Sequence, residues 1–134
     1  MVIHESAEDY LESILVLQER RGYVRSIDIA NELSFSKPSV SVAMKNLRLN
    51  GLIEIDEDGM ITLQEAGRAI AERIYERHTL LTQWLEQLGV SPAVAAEDAC
   101  RMEHVISAET FDCIKQFARR LQAAHPDKFG DLCE

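Results

Sequence analysis

The order of helix and strand signals between residues 26 and 63 constrains the fold of this chain more than any other feature of its sequence. An apolar-patterned segment beginning near Ser26, a candidate N-cap, predicts one short helix, and the pattern predicts a second helix over roughly residues 37–50. Ser36 precedes the second helix as a cap, and Pro38 lies in its first turn, where the missing N–H is not needed. The region therefore predicts two consecutive helices joined by a tight turn.

Two short β-like runs follow the second helix, at residues 52–55 and 60–63, and they flank the dipeptide Asp58-Gly59. Asp-Gly between two such runs is a strong hairpin signal. A helix ahead of this region, over about residues 6–20, completes the order of a winged helix-turn-helix domain, in which the later helix of the pair enters the DNA major groove. We predict a mainly α fold with one small β-hairpin.

The helix over residues 37–50 has an apolar side for the core and a polar side on which DNA contacts are expected. The chain has a net charge of −9, yet all six lysine and arginine residues among its first fifty residues lie between positions 20 and 48. This locally basic segment suits phosphate contacts, while small side chains at the start of the helix suit base edges and thymine methyl groups. The candidate DNA-binding residues are Arg25, Ser36, Lys37, Pro38, Ser39, Ser41, Val42, Lys45 and Arg48.

The second half of the chain is predicted to be helical. A long helix runs from about Gln64 to Leu88 and ends at Gly89. A further helical segment follows over about residues 91–105, and a last helix begins at Ser107. We find no internal repeat.

The sequence indicates a protein of the cytoplasm. A membrane span requires about 18 consecutive apolar residues, and no run in this chain approaches that length. The opening MVIHESAEDY has no basic region ahead of an apolar stretch, so no signal peptide is expected. The three cysteines, Cys100, Cys113 and Cys133, form no disulfide framework, which suits a reducing compartment.

A thiol, a carboxylate and an imidazole occur within five positions in the stretch ACRMEHVIS, as Cys100, Glu103 and His104. Their spacing of i, i+3 and i+4 would place all three on one face of a helix. Together these groups cover the ligand preferences of divalent first-row metals, from hard Mn(II) to softer ions. They are candidate ligands from one rigid turn, and a fourth ligand would have to come from another segment.

Three other polar residues accompany this triple. Asp9 and Glu12 are three residues apart on the first helix, and His78 lies on the apolar stripe of the long helix. Each has an ordinary explanation, because Asp9 can complete a capping box with Ser6, Glu12 can face solvent and a stripe histidine can be hydrogen-bonded in a core. Cys100 taken alone can be a small buried hydrophobe. As a set, these residues indicate a metal site.

The block CRMEHVIS, the pair Arg77-His78 and the opening EDYLESI resemble the DtxR/MntR family of metal-dependent repressors, the diphtheria toxin repressor and manganese transport regulator type. The resemblance covers the chain from Ser6 to about Leu121. It implies a metal-activated homodimer that binds double-stranded operator DNA and represses metal-uptake genes. The metal ligands that it implies are Asp9, Glu12, His78, Cys100, Glu103 and His104.

The resemblance is to two branches of the family at once. Manganese-type members share Asp9 and Glu12 but carry Glu at the position of Cys100, whereas iron-type members share the Cys but have Met at the position of Asp9. Ala96 and Thr82 stand where iron-type members have the His and Glu of an ancillary site, so we expect that site to be absent in its usual form.

The ligand set suggests two sites. We expect a primary site of Asp9, Cys100, Glu103 and His104 and a weaker second site of Glu12, His78 and a shared oxygen of Glu103. Thiolate softness favours Fe(II) over Mn(II), and Zn(II), Co(II) or Ni(II) are able to bind in vitro.

The resemblance also implies a division into domains. Residues 1–63 would form the winged helix-turn-helix domain, residues 64–124 a helical metal-binding and dimerisation domain, and residues 125–134 a loose tail. Longer members carry a further SH3-like domain, which we do not expect in this chain. Apolar positions that a short chain cannot all cover predict a dimer interface at Trp84, Leu88, Val94, Phe111 and Ile114.

Three other functions are considered. A metal-independent winged-helix regulator would use the same helices with a plain core, and a small structural-zinc protein would unfold without its metal. An enzyme with Cys100 as nucleophile and His104 as base is disfavoured, because no glycine-rich segment nearby could form an oxyanion hole. We therefore predict that the protein is not an enzyme.

Overall fold

The structure is a computed structural model that describes residues 5–124, and these residues form six helices and one two-stranded antiparallel sheet. The elements in chain order are α1 (Glu5–Arg21), α2 (Ser26–Leu33), α3 (Lys37–Leu49), β1 (Ile53–Ile55), β2 (Ile61–Leu63), α4 (Glu65–Gln87), α5 (Pro92–Met102) and α6 (Ala108–Ala124). The prediction of a mainly α fold with one hairpin is confirmed. The predicted tail at residues 125–134 lies outside the described residues.

The chain divides into two compact units, Met1–Arg73 and Ile74–Glu134, and the boundary falls within α4. The first unit contains α1, α2, α3 and the hairpin, packed around one apolar core. The predicted domain boundary after residue 63 stays a prediction. The buried core residues of this unit are Tyr10, Leu11, Ile14, Leu15, Leu17, Val24, Ile29, Ala30, Val40, Met44, Leu47, Leu52, Ile53, Ile61, Leu63 and Ala71.

The start of α3 agrees with its sequence signals. Ser36 is the N-cap residue, and its Oγ accepts a hydrogen bond from the Ser39 N–H at 3.3 Å. Pro38 lies in the first turn. Val40, Met44 and Leu47 form the buried stripe of this helix, as the sequence predicted.

The hairpin also agrees with its sequence signals. Ile53 pairs with Leu63 and Ile55 with Ile61 in an antiparallel register. The turn closes because Asp56 Oδ1 accepts the N–H groups of Asp58 and Met60, each at 2.9 Å. Gly59 has a φ of +82°, a left-handed conformation that glycine adopts without strain.

The hairpin and the start of α4 meet at one backbone carbonyl. The Leu52 carbonyl accepts a hydrogen bond from the Gln64 N–H at 2.9 Å. The same carbonyl lies against Gly67, where a Cβ would overlap it. Glycine at this position therefore lets the helix approach the backbone that precedes β1.

Two predicted caps are wrong. Ser6 lies inside α1, which is already helical at Glu5, so Ser6 cannot cap this helix and Asp9 cannot be its capping-box partner. Ser26 is the first residue of α2, and Arg25 takes the cap position instead. The Asp28 carboxylate accepts the N–H of this cap residue, Arg25, at 2.9 Å. The cap is therefore one residue earlier than predicted.

The second unit consists of the remainder of α4 together with α5 and α6. Gly89, with a φ of +105°, follows the end of α4, and Ser107 Oγ accepts the Thr110 N–H at 3.0 Å at the start of α6. In residues 5–124, no helix combines the length and the apolar character that a membrane span needs. The buried apolar residues of this unit are Ile74, Leu80, Leu81, Ala95, Ala99, Phe111 and Ala118.

Candidate metal centre and nucleic-acid interface

The stretch that carries the candidate triple is a helix end followed by a turn. Cys100 lies in the last turn of α5, and the helix ends at Met102 rather than near residue 105 as predicted. Glu103 keeps helical dihedral angles and donates its N–H to the Ala99 carbonyl at 2.9 Å. His104 lies in the turn that follows. The prediction of one helix face for all three residues is therefore correct only for Cys100 and Glu103.

Glu103 is the centre of a group of potential ligands in the second unit. Its side chain is 0% exposed, and its Oε2 lies 2.8 Å from His78 Nδ1 on α4. Its Oε1 lies 3.5 Å from Nε2 of His104, whose side chain is 2% exposed. Cys100 offers a ligand atom within 4.8 Å of one from Glu103. Within the second unit, three predicted ligands thus lie around the buried carboxylate of a fourth, Glu103.

The carboxylate of Glu103 is suited to act as a metal ligand because one of its oxygens is not hydrogen-bonded. Oε1 is buried and has no hydrogen-bond partner in residues 5–124, since the 3.5 Å separation from His104 is an electrostatic contact and too long for a good hydrogen bond. An unbonded buried acceptor costs about 1–3 kcal/mol, and a charged one costs more. A cation would satisfy this oxygen. The surrounding carboxylate, imidazole and thiol donors suit a divalent first-row metal.

The other two predicted ligands belong to the first unit. Asp9 and Glu12 are one helical turn apart on α1, and both are half-buried. The capping-box explanation of Asp9 no longer holds, because α1 begins before Ser6. Glu8, which precedes Asp9 in the chain, is buried, and its Oε2 lies 2.7 Å from Nη2 of Arg73 on α4.

Arg77 is a residue of this site whose role the sequence did not predict. Its side chain donates from Nη1 to the carbonyls of Glu103 at 3.0 Å and of Ile106 at 3.1 Å. The available signal was its place between Ile74 and Leu81 on the stripe of α4, since an arginine on an apolar stripe must find partners. The sequence contains no indication of which partners these are.

All nine predicted DNA-binding residues are exposed. They lie on α3, at its N-cap and at the residue before α2, and no acidic residue occurs between Glu32 and Glu54. Val42 is an exposed apolar residue of α3, with 61% of its surface accessible. Arg25 also donates from Nε to the Asp58 carbonyl at 3.3 Å, so it is held against the hairpin turn.

The residues predicted for a dimer interface differ in exposure. Leu88 and Val94 are exposed, and Trp84 and Ile114 are half-buried. Phe111 departs from the prediction because it is 5% exposed and its ring lies under the Arg77 guanidinium, 5.3 Å from ring centroid to Cζ. Its side chain fills the interior of its own unit and presents little surface to a partner.

The sequence matches two family models. The N-terminal DNA-binding domain of iron-dependent repressors matches residues 3–60, and the metal-binding and dimerisation domain of the same repressors matches residues 64–128. The transcriptional regulator MntR of Escherichia coli O6:H1 is 37% identical over 116 residues, which cover 87% of this chain and 75% of that protein. The HTH-type transcriptional regulator MntR of Listeria innocua is 33% identical over 129 residues, covering 96% and 90% of the two chains.

Solved structures agree with these matches. The structure of the manganese regulator SloR superposes with a TM-score of 0.75 at 29% identity, covering 89% of this chain and 55% of that chain. The metal-dependent transcriptional regulator MtsR superposes with a TM-score of 0.77 at 26% identity, covering 84% and 53%. This chain therefore spans about half the length of these two proteins. Both matched family domains and the winged-helix fold identify the chain as a member of the iron-dependent repressor family, the DtxR/MntR family.

Proposed function

We propose that this protein is a divalent-metal-responsive repressor that binds operator DNA as a homodimer in the cytoplasm and controls genes for iron or manganese uptake. The observation that carries this proposal is the buried Glu103 carboxylate, with one oxygen unbonded and imidazole and thiol donors around it. The relatives named as MntR and the similar structures of the manganese regulator SloR and the metal-dependent regulator MtsR support metal dependence.

The proposed primary site consists of Asp9, Cys100, Glu103 and His104. The second, weaker site consists of Glu12, His78 and a shared oxygen of Glu103. A bound divalent cation would supply the positive charge to which carboxylates, imidazoles and a thiolate are all attracted. Cys100 would release its proton on ligation, so metal affinity should rise with pH.

The ligands would act through the arrangement of the two units. Because Asp9 and Glu12 belong to the first unit and the other ligands to the second, ligation by both groups would hold the units in one arrangement. Metal would then favour that arrangement by its differential affinity. In a homodimer, a fixed arrangement places two α3 helices in successive major grooves, about 34 Å apart.

In the complex with DNA, we assign contacts with phosphates to the basic side chains of the α3 region. Contacts with the edges of the nucleobases are assigned to its small side chains. Lys37, Lys45 and Arg48 are exposed and lie within residues 33–53, which contain no acidic residue. These cationic side chains suit contacts with the phosphate backbone. Val42 is able to contact a thymine methyl group but cannot donate a hydrogen bond from its side chain. The acidic tip of the hairpin, residues 56–58, is a poor phosphate contact.

The physiological metal depends on Cys100. A thiolate favours softer ions than a carboxylate does, so Cys100 favours Fe(II) over Mn(II) at the primary site. The names of the MntR relatives favour Mn(II) as the alternative. Zn(II), Co(II) and Ni(II) are expected to bind in vitro, because intrinsic affinity rises along the series towards copper.

An anaerobic fluorescence-anisotropy titration against the DNA upstream of the protein's own gene tests the proposal. Fe(II), Mn(II) and Zn(II) are compared with a chelator control, and each active metal should tighten DNA binding. Cys100→Glu should shift the preference towards Mn(II). Cys113→Ser, which changes an exposed cysteine on α6, is the matched control and should leave the preference unchanged. DNA binding that ignores the chelator would instead support the metal-independent regulator.

A further inference from the structure

Arg77 is a buried cation that donates two hydrogen bonds to backbone carbonyls. Only 9% of the residue is exposed. Nη1 donates to the carbonyls of Glu103 and Ile106, at 3.0 and 3.1 Å. The guanidinium carbon lies 5.3 Å from the centroid of the Phe111 ring, within the range of a cation–π contact. Arg77 therefore holds both ends of the turn at residues 103–106 through Nη1, while its buried Nε has no hydrogen-bond partner in residues 5–124.

This turn carries two of the candidate ligands, and the next residue of α4 carries a third. Arg77 binds the backbone of Glu103, and His78 binds the side chain of the same Glu103 at 2.8 Å from Nδ1 to Oε2. Two adjacent residues of α4 thus contact Glu103, one at its backbone carbonyl and the other at its carboxylate. The position of the Glu103 carboxylate relative to His78 is consequently fixed by backbone contacts as well as by the His78 ring.

Arginine is suited to this task for two reasons. Its guanidinium stays charged and has five N–H donors in a rigid fork, so one side chain can bind two carbonyls in a fixed geometry. The two hydrogen bonds from Nη1 reach carbonyls and not the Glu103 carboxylate, whose Oε1 has no hydrogen-bond partner in residues 5–124. The turn is anchored without using the oxygen that a cation would need.

We propose that Arg77 is a positioning residue of the metal centre, which presets the distance between the Glu103 carboxylate and the His78 imidazole by holding the turn at residues 103–106 on α4. The proposal rests on the proposed function, because it assigns a role in that same site. Outer residues that orient metal ligands typically contribute about 10- to 100-fold to metal affinity. We expect a loss in this range when the two carbonyl bonds are removed.

The main test compares Arg77→Met with a matched control. Methionine retains an unbranched side chain that packs on the Phe111 ring but has no donor. Lys115→Met is the control, because it removes another tie of a helix to α4, the 2.8 Å pair between Lys115 and Glu76, without touching the turn. Mn(II) and Co(II) affinities are measured anaerobically by competition with a fluorescent chelator. Arg77→Met should lose about 10- to 100-fold, and Lys115→Met should bind as the wild type does.

A second measurement needs no metal. The N–H groups of Val105 and Ile106 both donate to the Met102 carbonyl, at 3.1 and 3.2 Å, so their amide hydrogen exchange reports on the turn. In metal-free Arg77→Met these two amides should exchange faster, while the amides in the middle of α4 and α6 should keep wild-type rates. Faster exchange throughout the unit would show a general loss of stability and would contradict a positioning role.

Arg77→Lys provides the conservative variant, and it decides the question if Arg77→Met does not fold. Its ammonium keeps the charge but not the fork, so we expect a smaller loss of affinity and a partial increase in exchange. Wild-type affinity and wild-type exchange in the folded variant would overturn the positioning role and leave the proposed function intact. Failure of the wild-type protein to bind either metal would overturn both.

Discussion

Glu103 is fully buried, yet only one of its two carboxylate oxygens accepts a hydrogen bond from a residue within the range 5–124. Such an arrangement lowers the stability of a metal-free protein, because a buried carboxylate keeps its desolvation cost when an oxygen is unbonded. The arrangement is understandable if the free oxygen is a ligand. The cost to folding and the capacity to bind a cation then have the same physical origin.

Replacing Glu103 by glutamine separates these two effects. Glu103→Gln keeps the size of the side chain and replaces a buried carboxylate by an amide, which is less costly to bury, so the free energy of unfolding of the metal-free protein should not fall. Metal binding should weaken by at least the roughly 100-fold upper range for loss of a residue that orients a ligand, since an amide is a poor substitute for a ligating carboxylate. Urea denaturation with chelator present measures the first quantity, and metal titration measures the second.

The matched control for this experiment is Glu109→Gln, at an exposed position in the first turn of α6. Its metal affinity should equal that of the wild type. A metal-free Glu103→Gln protein that is less stable than the wild type would show that the carboxylate serves the core and would weaken its assignment as a ligand.

At the scale of the elements, the first unit depends on close approaches between backbone segments as well as on apolar stripes. The Ile61 N–H donates to the Val24 carbonyl at 2.8 Å, which ties β2 to the loop after α1. The first turn of α4 lies against the Leu52 carbonyl at Gly67. These contacts determine where the hairpin and the start of α4 lie on the core of the first unit.

Gly67→Ala tests the second of these contacts. Helix propensity alone would make alanine more stable than glycine inside a helix by about 1 kcal/mol. The new Cβ would overlap the Leu52 carbonyl, however, so we expect a net loss of about 1–3 kcal/mol, as for other overpacked sites. Thermal unfolding measures whether the substitution raises or lowers the stability. A higher melting temperature would mean that propensity outweighs the overlap and that the contact is easily relaxed.

At the scale of the whole molecule, charge is unevenly distributed along the chain, and both units expose large apolar side chains. The lysine and arginine residues among the first fifty residues cluster between positions 20 and 48, within a chain of net charge −9. The second unit exposes large apolar side chains, among them Leu88, Val94 and Phe117. The basic segment of the first unit is suited to a polyanion.

Removal of metal distinguishes the proposed regulator from a structural-zinc protein. With chelator, we expect the far-ultraviolet circular dichroism to remain helical, because both units have apolar cores of their own. DNA affinity should fall with the same treatment. Loss of the helical signal on chelation would contradict this expectation, because only a structural-zinc protein would unfold.

A homodimer predicts a specific effect of charge on the second unit. Leu88→Asp places a carboxylate at a position that is 62% exposed in the single chain, so it should shift sedimentation from dimer towards monomer at micromolar concentration. Leu49→Asp, at a residue of α3 that is 69% exposed, is the matched control and should remain dimeric. A wild-type protein that sediments as a monomer with metal present would contradict the proposed dimer.

Local signals in the sequence determined the elements of this protein. The cap at Ser36, the Asp58-Gly59 turn and the apolar periods of the helices act over a few residues, so they can be interpreted without a fold. The same holds for the ligand types, since a thiol, carboxylates and imidazoles are visible in the sequence. The resemblance of whole motifs supplied the family.

Tertiary structure alone decided what surrounds these side chains. The burial of Glu103, the end of α5 at Met102 and the place of Phe111 in its own unit depend on contacts between distant residues. Arg77 and the carbonyls that it binds are 26 and 29 residues apart in the chain. Helical periodicity repeats within about four residues and carries no information about such pairs, so only the packed chain determines which donor meets which acceptor.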